Sequence, residues 1–480
     1  MRLTAAGTLL FCLPVLGWGA VPDLRLVEAV KNQDAAAVRQ LLSHGIDVNA
    51  AQGDGSTALH WAAHWDDLDT AGTLIRAGAQ VNAATALGVT PLALACENGN
   101  DAMVEKLLNA GANANSTLPT GESALMTCAR TGSTGGVSAL LAHGADRNAS
   151  EKEHGQTALM WAVARGHAEI ARLLAGQGAD VHARSRTYSE FVARKMPGIG
   201  EQRGHTSGVW MQRGGSTPLL FAARSGDIEC ARILLAAGAG VNEAAPDGDT
   251  PLTIAAHSGH TPLAKFLLDH GADPNAAGIG YTALHSAVLR NDLELVKALV
   301  AHGANPNVRL TNGTPIRRTD PDGLLPGDWA GATPFLLAAK FLHPAIMRTL
   351  AAAGADPSLT MQDGTTPLMV AAGLAWANGF DRRSVYIVGG TIPSDEVEAM
   401  ETAKLAITLG ADVKAANQAG DTALHGAAAK GYANIVELLV DSGADPNAKN
   451  RKGQTPAMLA RGPNSRRLVG LLNRSDASTP

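Results

Sequence analysis

Apolar and polar positions along this chain follow two short helical cycles that recur. Residues 250–275 show the unit. Thr250 is suited to an N-cap, because its hydroxyl can accept from the free N–H groups of a first helical turn. Pro251 follows at N1, where its missing N–H costs nothing. Leu252 and Ala255 lie one turn apart on one face. Gly259 ends this helix, and a second run over 261–270 turns Leu263, Phe266, Leu267 and Leu268 toward a core. Gly271 closes it as a left-handed C′ residue, and Asp273-Pro274-Asn275 carries the chain into the next unit. Helices this short fall below the roughly 12–15 residues that stand alone in water, so each apolar face needs a neighbouring unit to cover it.

The cycle returns at about 33 residues. T-[AP]-L-x-x-A openings begin at Thr57, Thr90, Ser123, Thr157, Thr217, Thr250, Thr282, Thr333, Thr366, Thr422 and Thr455. Glycines opening G-A-[DN]-x-N or close variants stand at Gly45, Gly78, Gly111, Gly144, Gly178, Gly238, Gly271, Gly303, Gly354, Gly410 and Gly443. A fixed period of this length is the signature of a solenoid. Residues 24–49 supply a degenerate first unit, giving twelve, and the last carries Arg466 and Arg467 on its second helix. Polar outer faces at the ends are what a finite stack requires.

The units resemble the ankyrin repeat. Its T-P-L-H-x-A signature stands as Thr57-Ala58-Leu59-His60-Trp61-Ala62, and again from Thr282 and Thr422. The resemblance covers nearly all of residues 21–473 and implies an all-α solenoid of helix–turn–helix units joined by hairpin-like fingers. It also implies that His60, His285 and His425 hydrogen-bond neighbouring backbone, and that the ends of first helices look onto a concave groove. In joining many repeats to a signal-like start, the chain resembles long exported bacterial ankyrin proteins.

Three insertions break the rhythm, near 184–213, 309–330 and 374–396. The glycine markers put the first two in finger loops and the third between the two helices of one repeat. They hold Tyr188, Phe191, Trp210, Trp329, Trp376, Phe380 and Tyr386, seven of the eighteen aromatics, which suits either binding hot spots or plugs folded onto the solenoid. The first is also basic: Arg184, Arg186, Arg194, Lys195, Arg203 and Arg213 face only Glu190 and Glu201. A second basic series, Arg130, Arg165, Arg224, Arg290, Lys340 and Lys430, lies at the ends of first helices. Two readings of that series stand: a groove that prefers an acidic protein, or cations favoured by the helix macrodipole.

Composition adds limits. A net charge of −5 is too weak to imply a nucleic-acid partner. Arg2, then the apolar stretch from Leu3 to Leu16 ending in Pro14, Gly17 and Gly19, reads as a signal peptide over 1–20. Cleavage after Gly19 leaves small residues at both recognition positions, and an uncleaved anchor is the alternative. The chain is thus expected to be periplasmic or secreted, monomeric and without a membrane span once cleaved, with a frayed tail over 474–480. Cys96, Cys128 and Cys230 remain after loss of Cys12. Stacked helices lie about 8–10 Å apart and a disulfide needs Cα atoms within about 7 Å, so free thiols are expected.

No motif points to catalysis, a cofactor or a metal. H-E-x-x-H, G-x-x-x-x-G-K-[ST] and G-x-S-x-G are absent. His257 and His260 are three apart, but Gly259 breaks the helix between them. The leading expectation is a scaffold, not an enzyme, that holds a protein partner with its groove and inserted fingers. The alternative is an enzyme or small-ligand receptor with a site at the first insertion, built from Arg194, Lys195, His205 and Trp210. A deep pocket between that insertion and neighbouring fingers would favour the alternative.

Overall fold

The computed structural model describes residues 22–193, 208–278, 280–311, 329–374, 396–461 and 464–473, excepting the side chains of 192–193 and 208–211. The expected signal segment, the tail, Arg194, Lys195, Arg203, His205, Trp376, Phe380 and Tyr386 lie outside the described residues. The chain divides into two compact units, the first ending at Asp146 and the second beginning at Arg147. Twenty-four helices and two strands are present among the described residues, and the helices fall into the twelve expected pairs. Four pairs form the first unit, from Arg25–Lys31 to Thr134–Ala142. Eight form the second, from Ala158–Ala164 to Ser465–Asn473.

The pair at 251–269 shows how the sequence makes these elements. Thr250 Oγ1 accepts from the Thr253 N–H at 3.2 Å, Pro251 opens the helix Pro251–Ser258, and Gly259 ends it at φ +78°. Leu263, Leu267 and Leu268 are buried in the second helix, Thr261–Asp269. Phe266 is a correction: it is half-buried rather than in the core. Its ring lies 4.1 Å from that of His270, with the Arg232 guanidinium 4.9 Å away. All eleven closing glycines have positive φ. The slot that ends the first helix is also left-handed, yet holds Gln33, Asp66, Asn291 and Leu342 in four units.

At several finger turns an asparagine joins one repeat to the next. Asn82 Nδ2 donates to the Gly111 carbonyl at 2.9 Å, and its Oδ1 accepts from the Asn113 N–H at 2.7 Å. Asn49 and Asn115 repeat the pattern in the first unit, as do Asn242, Asn275 and Asn307 in the second. These residues are more than turn formers: they satisfy a helix-end carbonyl of the following repeat.

Cysteine provides the clearest departure from expectation. Cys96 and Cys128 form a disulfide, with Cα atoms 4.6 Å apart, and only Cys230 is free among the described residues. The helices Pro91–Asn98 and Ala124–Thr131 meet through slots that hold alanine in most repeats, so their facing backbones come closer than their axes. Gly136 preserves that fit, since a Cβ there would stand 2.9 Å from the Cys128 sulfur.

Candidate functional site

The first insertion is an antiparallel ribbon. Strand β1, Tyr188–Ala193, pairs with β2, Gly208–Arg213, placing Tyr188 opposite Arg213 and Phe191 opposite Trp210. Strand alternation gives the ribbon two unlike faces. Tyr188, Glu190 and Arg213 share one, where Arg213 Nε donates to Glu190 Oε2 at 3.2 Å. Ser189, Phe191 and Gln212 share the other, where Gln212 Nε2 donates to Ser189 Oγ at 3.0 Å. Tyr188 and Phe191 remain 54% and 43% exposed.

An arginine clasp anchors the base. Arg184 Nη1 donates to the Gly215 carbonyl at 3.0 Å and to the Ala244 carbonyl of the next finger at 2.9 Å. Arg309 does the same at the second insertion, reaching Gly331 at 3.2 Å and Thr360 at 2.8 Å. Among the eleven units, only these two carry arginine six residues beyond the closing glycine, a signal visible in the sequence. Arg184 therefore serves the finger rather than a partner.

Between the ribbon and the helix Pro218–Ser225 lies a cavity of about 240 Å³. Tyr188, Phe221 and Ile254 supply apolar wall, Arg186, Arg213, Arg224, Asp247 and Asp249 supply charge, and His154 adds an imidazole. Arg213 Nη1 stands 3.7 Å from Asp247 Oδ2. Asp249 is buried and accepts from Thr253 Oγ1 at 3.3 Å. The Arg224 guanidinium lies 5.8 Å from the Phe221 ring centre. The Arg186 side chain is exposed and forms no ion pair among the described residues.

The expected basic series does not act as one set. Arg130 pairs with Glu97 of the preceding repeat and approaches Glu122 at 3.7 Å. Lys340 is only 6% exposed; its Nζ stands 4.7 Å from the Trp329 ring and 4.2 Å from Phe341. Removing an ammonium from water is costly, and these rings offset part of that cost. Trp329, itself 6% exposed, thus plugs the solenoid instead of offering a binding surface. Arg290 is exposed and donates to the His257 carbonyl at 3.2 Å, Lys430 is half-buried, and Arg165 is exposed without an ion pair among the described residues.

The signature histidines behave as structural groups. The Thr57 N–H donates to His60 Nδ1 at 3.1 Å, leaving Nε2–H to donate to the Val89 carbonyl at 3.0 Å. His425 repeats this with Thr422 and the Gln454 carbonyl. His285 accepts from the Thr282 N–H at 3.1 Å, but its buried Nε2 has no hydrogen-bond partner among the described residues. Burial pushes its pKa down to about 4, against the opposing pull of the Ala332 and Val308 carbonyls. No group of three or more His, Cys, Asp or Glu side chains is placed to hold a metal among the described residues. No described helix is long and apolar enough to cross a membrane.

A family model described as ankyrin repeats, in three copies, matches residues 26–118, 92–185, 219–310 and 396–477, well over half of the chain. The chain belongs to the ankyrin repeat family. The B-cell lymphoma 3 protein homolog of Mus musculus is 31% identical over 160 residues, 30% of this chain and 35% of that protein. The NF-kappa-B inhibitor alpha of Homo sapiens is 35% identical over 117 residues, 24% of this chain and 32% of the inhibitor. Protein phosphatase 1 regulatory subunit 27 of Homo sapiens is 39% identical over 72 residues, 15% of this chain and 46% of the subunit. The chain spans about a third to a half of the length of these relatives. Set against the ankyrin repeat, the ribbon, its clasp and its cavity belong to the inserted finger.

Proposed function

We propose that this ankyrin repeat protein is a non-catalytic scaffold that binds a protein partner at the first insertion. One observation carries the reading: a clasped ribbon holds Tyr188 and Phe191 in solvent on its two faces, Tyr188 at the wall of a cavity lined by charged side chains. Exposed aromatics on a rigid support are the usual anchors of protein interfaces. Two of the relatives bear names of regulators of other proteins, an inhibitor and a phosphatase subunit, which supports the same class of role. An acidic partner fits Arg165 and Arg186, and the chain acts as an exported monomer. The Cys96–Cys128 disulfide supports export, because such bonds persist in oxidising compartments.

The test replaces residues 188–213 with a short Gly-Ser linker and compares affinity capture from an extract of the producing cell. A partner retained by the parent and lost by the variant is expected; equal capture by both would sink the proposal. The cavity also favours a second reading, a small-ligand receptor. Its volume falls below the roughly 300–1,000 Å³ of ordinary ligand pockets, so the scaffold remains first.

A further inference from the structure

The geometry points to the outer edge of β1 as the docking line for an extended segment of the protein partner, joined to it by main-chain hydrogen bonds. This rests on the scaffold reading and gives it a mode of contact. Neighbouring fingers already meet in this way. The Arg186 N–H donates to the His154 carbonyl of the preceding finger at 2.6 Å, as Gln418 does to Asp363 at 2.7 Å and Arg451 to Ala419 at 2.8 Å. Gly155 permits the approach, since a Cβ there would stand 2.9 Å from the Arg186 nitrogen.

That row stops where the ribbon goes on. The preceding finger is a short turn closed by the bridge between Ser150 and Thr157, and His154 at its tip reaches only Arg186. The strand β1 begins two residues later and runs to Ala193. Among the described residues, no backbone outside the ribbon bonds to Tyr188, Ser189 or Glu190. Alternate residues of a strand paired on one side turn N–H and C=O outward, and a third strand can take them up. A two-stranded ribbon is marginal alone, so a third strand also steadies it. Edges kept from pairing carry Lys, Pro or a bulge. The sequence Tyr188-Ser189-Glu190-Phe191-Val192-Ala193 has no Lys or Pro, and its register against β2 runs without a break. Its one charge, Glu190, is engaged across the ribbon by Arg213 at 3.2 Å.

Side chains choose which segment docks. A strand laid along β1 alternates its side chains between the two ribbon faces. It meets Tyr188 on one and Phe191 on the other, both exposed. Aromatic and β-branched side chains pair well with such neighbours. The segment is therefore extended, free of Pro, and rich in β-branched or aromatic residues on both faces.

The experiment selects random peptides displayed on phage against the full-length protein. Expected are enriched peptides with runs of β-branched or aromatic residues that lose binding when 188–213 become a Gly-Ser linker. In a synthetic peptide from that set, methylating the backbone nitrogen should weaken binding at least about tenfold at every second residue and little at those between. On binding, alternate amides of 188–193 that exchange freely should gain protection, while the outward amides of 208–213 should not. No ribbon-dependent peptide, N-methyl losses without a two-residue period, or protection that misses 188–193 overturns the assignment. Ribbon-dependent dimers of the protein alone also overturn it, by placing a second copy on the edge. Peptides that need the ribbon but tolerate N-methylation throughout overturn strand addition and leave the scaffold standing. Equal capture of a partner by parent and linker variant sinks the scaffold itself.

Discussion

His285 is held neutral in the folded chain, and that has a definite sign. In the unfolded chain its pKa is near 6.5; in the fold it is about 4, chiefly because the ring is buried. Between those values the unfolded chain binds more protons, so stability falls as pH drops from about 6.5 to about 4. A shift of this size corresponds to about 3 kcal/mol. His60 is shifted in the same direction, again mainly by burial. Urea unfolding of the parent and His285→Asn from pH 7 to pH 4.5 should show the parent's advantage shrinking; a constant gap would mean that His285 is protonated without cost. The left-handed slot gives a second contrast. Gln33 is exposed at φ +57°, so Gln33→Gly removes about 1–2 kcal/mol of strain, less about 0.5–1 kcal/mol of lost chain entropy, and should stabilise. Leu342 shares that φ but is buried. Losing its side chain costs about 1.5–3 kcal/mol, which together with the entropy term outweighs the relief, so Leu342→Gly should destabilise. Thermal midpoints with the same sign for both variants would contradict this.

Among the elements, the helix pairs were legible in local pattern and the cross-links between them were not. Caps, left-handed glycines and apolar spacing act within about ten residues, which is why twelve pairs were foreseen. The Cys96–Cys128 disulfide joins residues 32 apart, and generic helix spacing misjudged it because small residues let the facing backbones approach. Its removal by the pair Cys96→Ala and Cys128→Ala, alanine being the usual occupant of both slots, should cost about 2–4 kcal/mol in denaturant unfolding. Peptide mapping without reductant should recover the two cysteines linked; alkylation of both after denaturation would refute the bond. The Arg184 clasp belongs to the same scale. Arg184→Ala should raise amide exchange across 188–193 and 208–213, because two carbonyl contacts hold the ribbon base. Unchanged exchange would show that the strand pairing suffices.

For the whole molecule, the repeat period dominates, and export remains the expectation that most affects where a partner is found. Mass measurement of the mature protein should find its first residue at Ala20; an intact Met1 would favour the anchor. Period and unit count follow from residues that act on near neighbours, and such short-range chemistry is written in linear order. The finger carrying Tyr188 was foreseen as a loop, but not as a clasped ribbon over a cavity. Nor did linear order show that Lys340 sits under Trp329, that Arg130 faces Glu97, or that Arg184 is consumed by the clasp while Arg186 forms no ion pair among the described residues. Those outcomes depend on distances between side chains on separate repeats or on the two ends of an insertion. Desolvation and pairing act on such distances, and they arise only when the chain stacks.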